Sequence, residues 1–357
     1  MTEHRHGGRV FEAALDLGVP WSRILDFSAN INPLGQPGGL RNHLFRSFPE
    51  TVHYPDVDAG SLTDAIASAT GLPRETILPG AGSTPHIRMI ARILSPERPV
   101  IICPAFAEYA EAILAASSKP AFVTAPRESG FLVTPEVVGK AAELDPDLLF
   151  LANPANPTGR LLPESTFAAL LSLSERTGCR VVLDEAFIDF TGSKSHEAAA
   201  AETERILILR SLTKIFAIPG LRLAYLVGHR ETIRPLAEQL EPWPLNCMAL
   251  EAGLYCIPRR DFVEATPART AKLRGMLVKT LRPYGSVVPS DANFVLMDAG
   301  EEAPGIVRRL YARGILVRDA SNFHGLGPGW LRFAVRPTGE IRALALALAG
   351  APAADDA

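Results

Sequence analysis

Basic runs, long apolar stretches and paired cysteines are all missing from this 357-residue chain. Each absence removes a class of function. Lysine and arginine number 36 against 39 aspartate and glutamate, for a formal net charge of -3. Because these charges are spread along the chain, the electrostatic footprint of a nucleic-acid binder is lacking. No apolar run approaches the ~18 residues of a membrane span. The opening Met1-Thr2-Glu3-His4-Arg5-His6-Gly7-Gly8 has no apolar leader core, so the expected compartment is the cytoplasm, without a membrane partner. Cys103, Cys179, Cys247 and Cys256 sit at spacings that match no metal site or redox pair, and no metal is expected. They read as buried small hydrophobes. What remains is small-molecule chemistry, and with 47% hydrophobic residues the chain can bury a large core.

Short apolar runs recur along the chain: Pro99 to Cys103, Leu148 to Ala152, Arg180 to Leu183, Ile206 to Leu209 and Leu223 to Val227. Amphipathic stretches such as Pro163 to Arg176 lie between them. This alternation predicts an α/β domain over residues 49–244, a mostly parallel sheet covered on both faces by helices. Beyond Pro242-Trp243-Pro244 the pattern changes. A helix from Arg260 to Leu281, strands at Val287-Val288, Asn293 to Met297, Ile315 to Val317 and Leu331 to Val335, and a helix from Ala303 to Arg313 predict a small α+β domain over residues 245–350. Residues 1–48, with Pro33 and Pro37, are too irregular to fold alone and are expected to pack on that domain. Residues 351–357 read as a frayed tail.

Arg210-Ser211-Leu212-Thr213-Lys214 follows the apolar run Ile206 to Leu209 directly, and Gly220-Leu221-Arg222 lies close behind. A lysine at the end of a buried strand is costly unless it is paired, neutral or covalently used. Three more groups fall where such sheets build their sites, beyond the carboxyl ends of the strands. They are Asn153-Pro154-Ala155-Asn156-Pro157-Thr158-Gly159, Asp184-Glu185-Ala186-Phe187, and Gly80-Ala81-Gly82-Ser83-Thr84. The last enters an amphipathic run and offers backbone N–H groups to an anion, although the same turn can be a plain helix cap. It lacks the lysine of a P-loop and the third glycine of a dinucleotide fingerprint.

Pyridoxal phosphate needs a lysine for its aldehyde, a carboxylate for its pyridine nitrogen, donors for its phosphate and a donor beside its phenolic oxygen. Lys214, Asp184, the Ser211/Thr213/Arg222 group with the Gly82 turn, and Asn156 supply one candidate for each. Asp184 could singly be a helix cap and Arg222 a surface ion pair. All four groups in this order resemble the fold-type I pyridoxal-phosphate enzymes of the class I/II aminotransferase superfamily, from about Asp26 to Arg336. That resemblance implies a large domain with a seven-stranded sheet plus a small domain. Within the superfamily, His6-Gly7-Gly8, the segment Leu25 to Gly35, Pro104-Ala105-Phe106-Ala107-Glu108-Tyr109 and Asp184 to Phe190 are similar to the L-threonine-O-3-phosphate decarboxylase branch, which is related to the histidinol-phosphate aminotransferases.

The resemblance implies that Lys214 links to the cofactor aldehyde and that Asp184 pairs with the ring nitrogen. Asn156 would contact the ring oxygen, and Phe106 would stack on the ring. Gly82, Ser83, Thr84, Ser211, Thr213 and Arg222 would hold the cofactor phosphate. Tyr54 resembles the tyrosine that reaches the neighbouring subunit's cofactor, which implies a homodimer with shared sites. Phe187 stands where many aminotransferases carry tyrosine, and Tyr225 is a candidate for the missing hydrogen bond, with a plain strand aromatic as its other reading. Arg332 matches the arginine of the substrate carboxylate, and Asn32 and Asn156 are further substrate contacts. A phosphorylated amino-acid substrate needs a second anion site, for which Arg318, Arg336 and His6 are candidates, since arginine grips phosphate by two parallel hydrogen bonds. Surface ion pairing is the alternative for either arginine. The implied activity is decarboxylation of L-threonine O-3-phosphate in cobalamin synthesis. Its rivals are transamination of histidinol phosphate and a non-catalytic cofactor-binding sensor module.

Overall fold

Apolar runs rich in valine, isoleucine and leucine form the middle of a seven-stranded sheet in the computed structural model, which describes residues 6–350. The expected tail at 351–357 lies outside the described residues. A first short strand, β1 (Leu25–Asp26), precedes the sheet. The sheet strands follow in chain order as β2 (Ile77–Gly80), β3 (Pro99–Cys103), β4 (Ala121–Thr124), β5 (Leu148–Ala152), β6 (Arg180–Asp184), β7 (Ile206–Ser211) and β8 (Ala224–Val227). Their spatial order is β2-β8-β7-β6-β5-β3-β4. Pairing is parallel from β7 through to β4, and only β8 is reversed, antiparallel to both its neighbours.

Both faces of this sheet are apolar because both are covered. Val181 and Leu183 enter one hydrophobic cluster with Val137 and Leu170 of the flanking helices, and Val182 enters another with Ile87, Ile90 and Ile113. Alternate residues of a strand point to opposite faces, so a near-continuous apolar run marks a strand buried on both. Two strands of this sheet escaped the sequence reading, and both are edges. β2 contains Pro79, tolerated where one side of the ladder is open, and three of the four residues of β4 are exposed.

In the C-terminal region, β9 (Ser286–Val287), β10 (Phe294–Asp298), β11 (Ile315–Leu316), β12 (Arg318–Asp319) and β13 (Trp330–Ala334) complete the strands. β12-β13-β10-β9 form an antiparallel sheet over a separate core that includes Leu277, Leu281, Val295, Leu331 and Ile341. The Arg260–Leu281 helix has the bounds read from the sequence. β1 pairs in parallel with β11, Leu25 opposite Ile315, and Phe27 is fully buried in the same core. Ser28 to Asn30 thereby arrive at the carboxyl ends of the large sheet's strands, facing the β12–β13 pair.

Candidate active site

At the end of β2 the chain turns through Gly80-Ala81-Gly82 into a helix over Ser83–Leu94. Gly82 has φ +103°, a conformation that favours glycine, and a Cβ there would stand 2.5 Å from Nη2 of Arg222. The guanidinium therefore lies against bare backbone. No side chain caps this helix, which leaves its first N–H groups and the positive end of its dipole turned outward. After β7, Ser211 Oγ and Thr213 Oγ1 lie 2.8 Å apart and complete the cup. Gly82, Ser83, Ser211, Thr213 and Arg222 line one cavity of about 540 Å³, together with Thr84, Lys214, Asp184, Asn156, Phe106 and Arg332.

Asp184 ends β6, and each of its carboxylate oxygens has one donor. Tyr109 gives its phenol to Oδ2 at 2.7 Å, and the Ala186 N–H reaches Oδ1 at 2.9 Å. Burial raises the Asp184 pKa, opposed by those two hydrogen bonds and by Lys214. A cationic N–H partner would complete its shell. Lys214 sits in a one-turn helix directly after β7, and its pKa falls to about 8. Burial is the first cause, and the positive charges of Arg222 and Arg332 add to it. The result is an amine with a sizeable neutral fraction near physiological pH.

Arg332, in β13, gives Nη2 to the Ser28 carbonyl at 2.9 Å and Nη1 to Asn156 Oδ1. Its Nε has no partner among the described residues, and only 6% of the side chain's residue surface is exposed. Burial first, then Arg318, lower its pKa to about 9. Arg318 lies directly opposite Arg332 in the β12–β13 register and also lines the cavity. It donates to Asn322 Oδ1 at 2.7 Å and to the Asp319 carbonyl. Two guanidinium groups facing each other across a ladder repel. That arrangement suits anions brought by a ligand.

Four sequence candidates stand elsewhere. Tyr225 points away from the cavity: its phenol donates to Glu197 Oε1 at 2.7 Å, and Glu197 and Asp189 hold the buried Arg210. It is a strand aromatic, and the hydrogen bond that Phe187 lacks is not replaced by it. Asn32 is also no cavity residue. Its amide donates to the Ile215 carbonyl at 2.7 Å and its N–H to the Lys214 carbonyl at 3.1 Å, so it braces the lysine's turn from behind. Arg336 is an i,i+4 ion pair with Glu340, 2.8 Å apart, and does not line the cavity. Tyr54 is 79% exposed and stacks on Trp243, outside this chain's own cavity. His6 does line the cavity, its Nε2 3.1 Å from Glu108 Oε1.

The sequence reading missed Ser28, Asn30 and Asn322, which line the cavity, and the support that Tyr109 gives to Asp184. Tyr109 follows Phe106 by three residues at the start of a helix over Ala107–Ala115, a spacing that places two side chains on neighbouring sides of one turn. Its phenyl edge meets Phe106 in a T-shaped contact. Among the described residues no group of three or more histidine, cysteine, aspartate or glutamate side chains is placed to hold a metal, and no helix is long and apolar enough to cross a membrane.

The donor set fits pyridoxal phosphate. The glycine cradle under Arg222 with the uncapped helix end suits a phosphate, Asp184 with its open lone pairs a pyridinium, and half-buried Lys214 an aldehyde. The family model of aminotransferase class I and II matches residues 22–348. A threonine-phosphate decarboxylase of Salmonella typhimurium is 35% identical over 350 residues, covering 96% of this chain and 95% of that one. Among solved structures, a histidinol-phosphate aminotransferase from Clostridium acetobutylicum superposes with TM-score 0.84 at 28% identity over 92% of this chain and 98% of its own. An L-threonine-O-3-phosphate decarboxylase from Porphyromonas gingivalis superposes with TM-score 0.83 at 26% identity, over 92% and 99%.

Proposed function

The chain belongs to the class I and II aminotransferase family, and we propose that it is the pyridoxal-phosphate-dependent decarboxylase that turns L-threonine O-3-phosphate into (R)-1-amino-2-propanol O-2-phosphate in cobalamin synthesis. The observation that carries this reading is the cross-strand pair Arg318 and Arg332, two guanidinium groups on one cavity wall. An amino acid with a phosphate ester brings one anion for each. The similarity to the Salmonella decarboxylase over nearly the whole of both chains supports the same substrate.

Bound pyridoxal phosphate supplies an electron sink for the pair released at the substrate Cα. The chain's own residues decide which bond breaks. Arg222, Ser211, Thr213 and the Gly82-Ser83-Thr84 turn would hold the cofactor phosphate, Asp184 would keep the ring nitrogen protonated, and Phe106 would stack on the ring. Asn156 has its oxygen taken by Arg332, which leaves its NH₂ for the ring oxygen. Arg332 would grip the substrate carboxylate, and its position would set which bond at Cα is weakened. Lys214, with its lowered pKa, delivers the proton that Cα takes up after carbon dioxide leaves.

The reading includes a homodimer with shared sites and a cytoplasmic location, and no nucleic-acid or membrane partner. Tyr54 and Trp243 stack on the surface, and Phe45, Phe48 and Val52, close by in sequence, are also exposed apolar side chains suited to contact with a second copy of the chain. All four cysteines remain thiols, as a reducing compartment keeps them. Product analysis tests the activity. With threonine phosphate, carbon dioxide and the amino-alcohol phosphate should form without any 2-oxo acid. Strict dependence on 2-oxoglutarate, with histidinol phosphate consumed, would replace the reading by an aminotransferase.

A further inference from the structure

His6 and Gly7 line the cavity, and the segment His6–Gly8 lies along it as a strap with two anchors. One is Ser28. Gly7 packs so tightly on it that a Cβ would lie 2.3 Å from the Ser28 carbonyl oxygen, and the Gly8 N–H donates to Ser28 Oγ at 2.8 Å. Ser28 in turn is held by Asp26 Oδ1, which accepts from its N–H at 2.8 Å and from its hydroxyl at 2.6 Å. The Ser28 carbonyl is also the acceptor of Arg332 Nη2. One residue therefore carries both the strap and the arginine assigned to the substrate carboxylate.

The second anchor is Glu108. Its side chain is only 8% exposed, it lies in the first turn of the Ala107–Ala115 helix, and its Oε1 stands 3.1 Å from His6 Nε2. The helix dipole favours a carboxylate there. The His6 ring tilts against Phe106 at 5.9 Å between centroids, so the pair also meets the aromatic assigned to the cofactor ring. Arg88, which also lines the cavity, approaches the other carboxylate oxygen at 3.4 Å. When His6 leaves, Glu108 keeps a cation, and the contact can open without stranding a buried charge.

We propose that Glu108 is the latch of this strap, a positioning residue that holds His6–Gly8 against the cavity so that the strap and Arg332 are set together through Ser28. The proposal rests on the assignment of this cavity as the active site, and its first readout needs no substrate. In holoenzyme, Glu108→Gln and His6→Ala should both speed hydrogen exchange of the Gly8 amide, while Arg88→Gln should not. With threonine phosphate, Glu108→Gln should raise KM about fivefold, the size of a half-exposed charged contact, with little change in kcat. His6→Ala, a change at a half-exposed residue, guards against a misfolded Glu108 variant. Unchanged exchange at Gly8 in both variants would overturn the latch, and so would faster exchange with an unchanged KM. A lower KM in Glu108→Gln would also overturn it, because Glu108 would then be competing with the anionic substrate for His6. If threonine phosphate proves not to be the substrate, the exchange result still stands or falls by itself.

Discussion

The Tyr109 phenol donates to Asp184 Oδ2 at 2.7 Å, and Tyr109 is fully buried between Phe106 and Phe150. Burial and the neighbouring carboxylate both push the phenol's pKa well above its usual value, so it stays a donor throughout the physiological range. It therefore fixes the carboxylate's rotamer without ever competing for its charge. Tyr109→Phe keeps the packing and removes one hydrogen bond to a charged group, an interaction on the order of 1.5–3 kcal/mol. The expected result is a roughly 10- to 100-fold weaker hold on pyridoxal phosphate, measured by cofactor titration, with thermal stability of the cofactor-free protein little changed.

Lys214 titrates near pH 8 rather than near its ordinary 10.5. Only the neutral amine attacks an aldehyde. The rate at which cofactor-free protein captures pyridoxal phosphate should therefore climb with pH through a midpoint near 8 and level off above it, followed by the growth of visible absorbance. Lys214→Ala should bind the cofactor without that covalent signal at any pH. A climb continuing to pH 10 would mean that burial, with Arg222 and Arg332, does not lower the lysine as the geometry implies.

Gly82→Ala meets two obstacles: a φ of +103° that an L side chain rarely adopts, and the Arg222 guanidinium 2.5 Å from the new methyl. Relief requires Arg222 to move off the phosphate cup or the turn to re-form, at a cost of about 1–3 kcal/mol. Cofactor affinity should fall by tenfold or more, read by equilibrium titration. The nearest atoms to a Cβ at Gly82 all belong to Arg222 and none to the β12–β13 pair, so KM for substrate at saturating cofactor should move far less.

Most of the large sheet was legible because strands buried on both faces must be apolar throughout, and Val181-Val182-Leu183 or Ile206 to Leu209 cannot be hidden in another pattern. The edges were not, since β4 is exposed on most of its residues and β2 carries Pro79. The cavity residues Lys214, Asp184, Asn156 and Arg222 stand in short blocks whose chemistry is unusual for their place, and the sequence shows that directly. Side-chain direction is another matter. Asn32 and Asn30 look interchangeable in Ser28-Ala29-Asn30-Ile31-Asn32, yet Asn30 lines the cavity while Asn32 ties down the backbone of Lys214 and Ile215. Arg336 and Arg332 differ likewise: Glu340, one helical turn on, captures the first, and no carboxylate lies within ion-pair reach of the second among the described residues.

Tyr225 allows a test in which structure and activity should separate. Its phenol is buried against Glu197, which shares its carboxylate with Arg210, and the register sets Tyr225 beside Arg210 on adjoining strands. Tyr225→Phe leaves a buried carboxylate oxygen short of a donor, a loss of about 1–3 kcal/mol in stability. The melting temperature should drop while the cofactor's absorbance and affinity stay near those of the unaltered protein. A shifted cofactor spectrum with unchanged stability would return Tyr225 to the ring oxygen.

The facing arginines give the sharpest division of kinetic effects. On the proposed reading Arg332 orients the group whose loss is the reaction, so its removal should act on the transition state. Arg318 is assigned to an anion that keeps its bonds, so its removal acts on binding in ground and transition state alike. Arg332→Gln should lower kcat by about 100-fold or more, because the bond to carbon dioxide is no longer held perpendicular to the ring. Arg318→Gln should raise KM by about 10- to 100-fold with kcat nearly kept, the range expected for one charge-assisted hydrogen-bonded anion contact. Both substitutions also relieve the repulsion between the two guanidinium groups, so neither should lower the melting temperature of the ligand-free protein by much. A large kcat loss in Arg318→Gln with unaltered KM would exchange the two assignments, and with them the direction in which the substrate lies in the cavity.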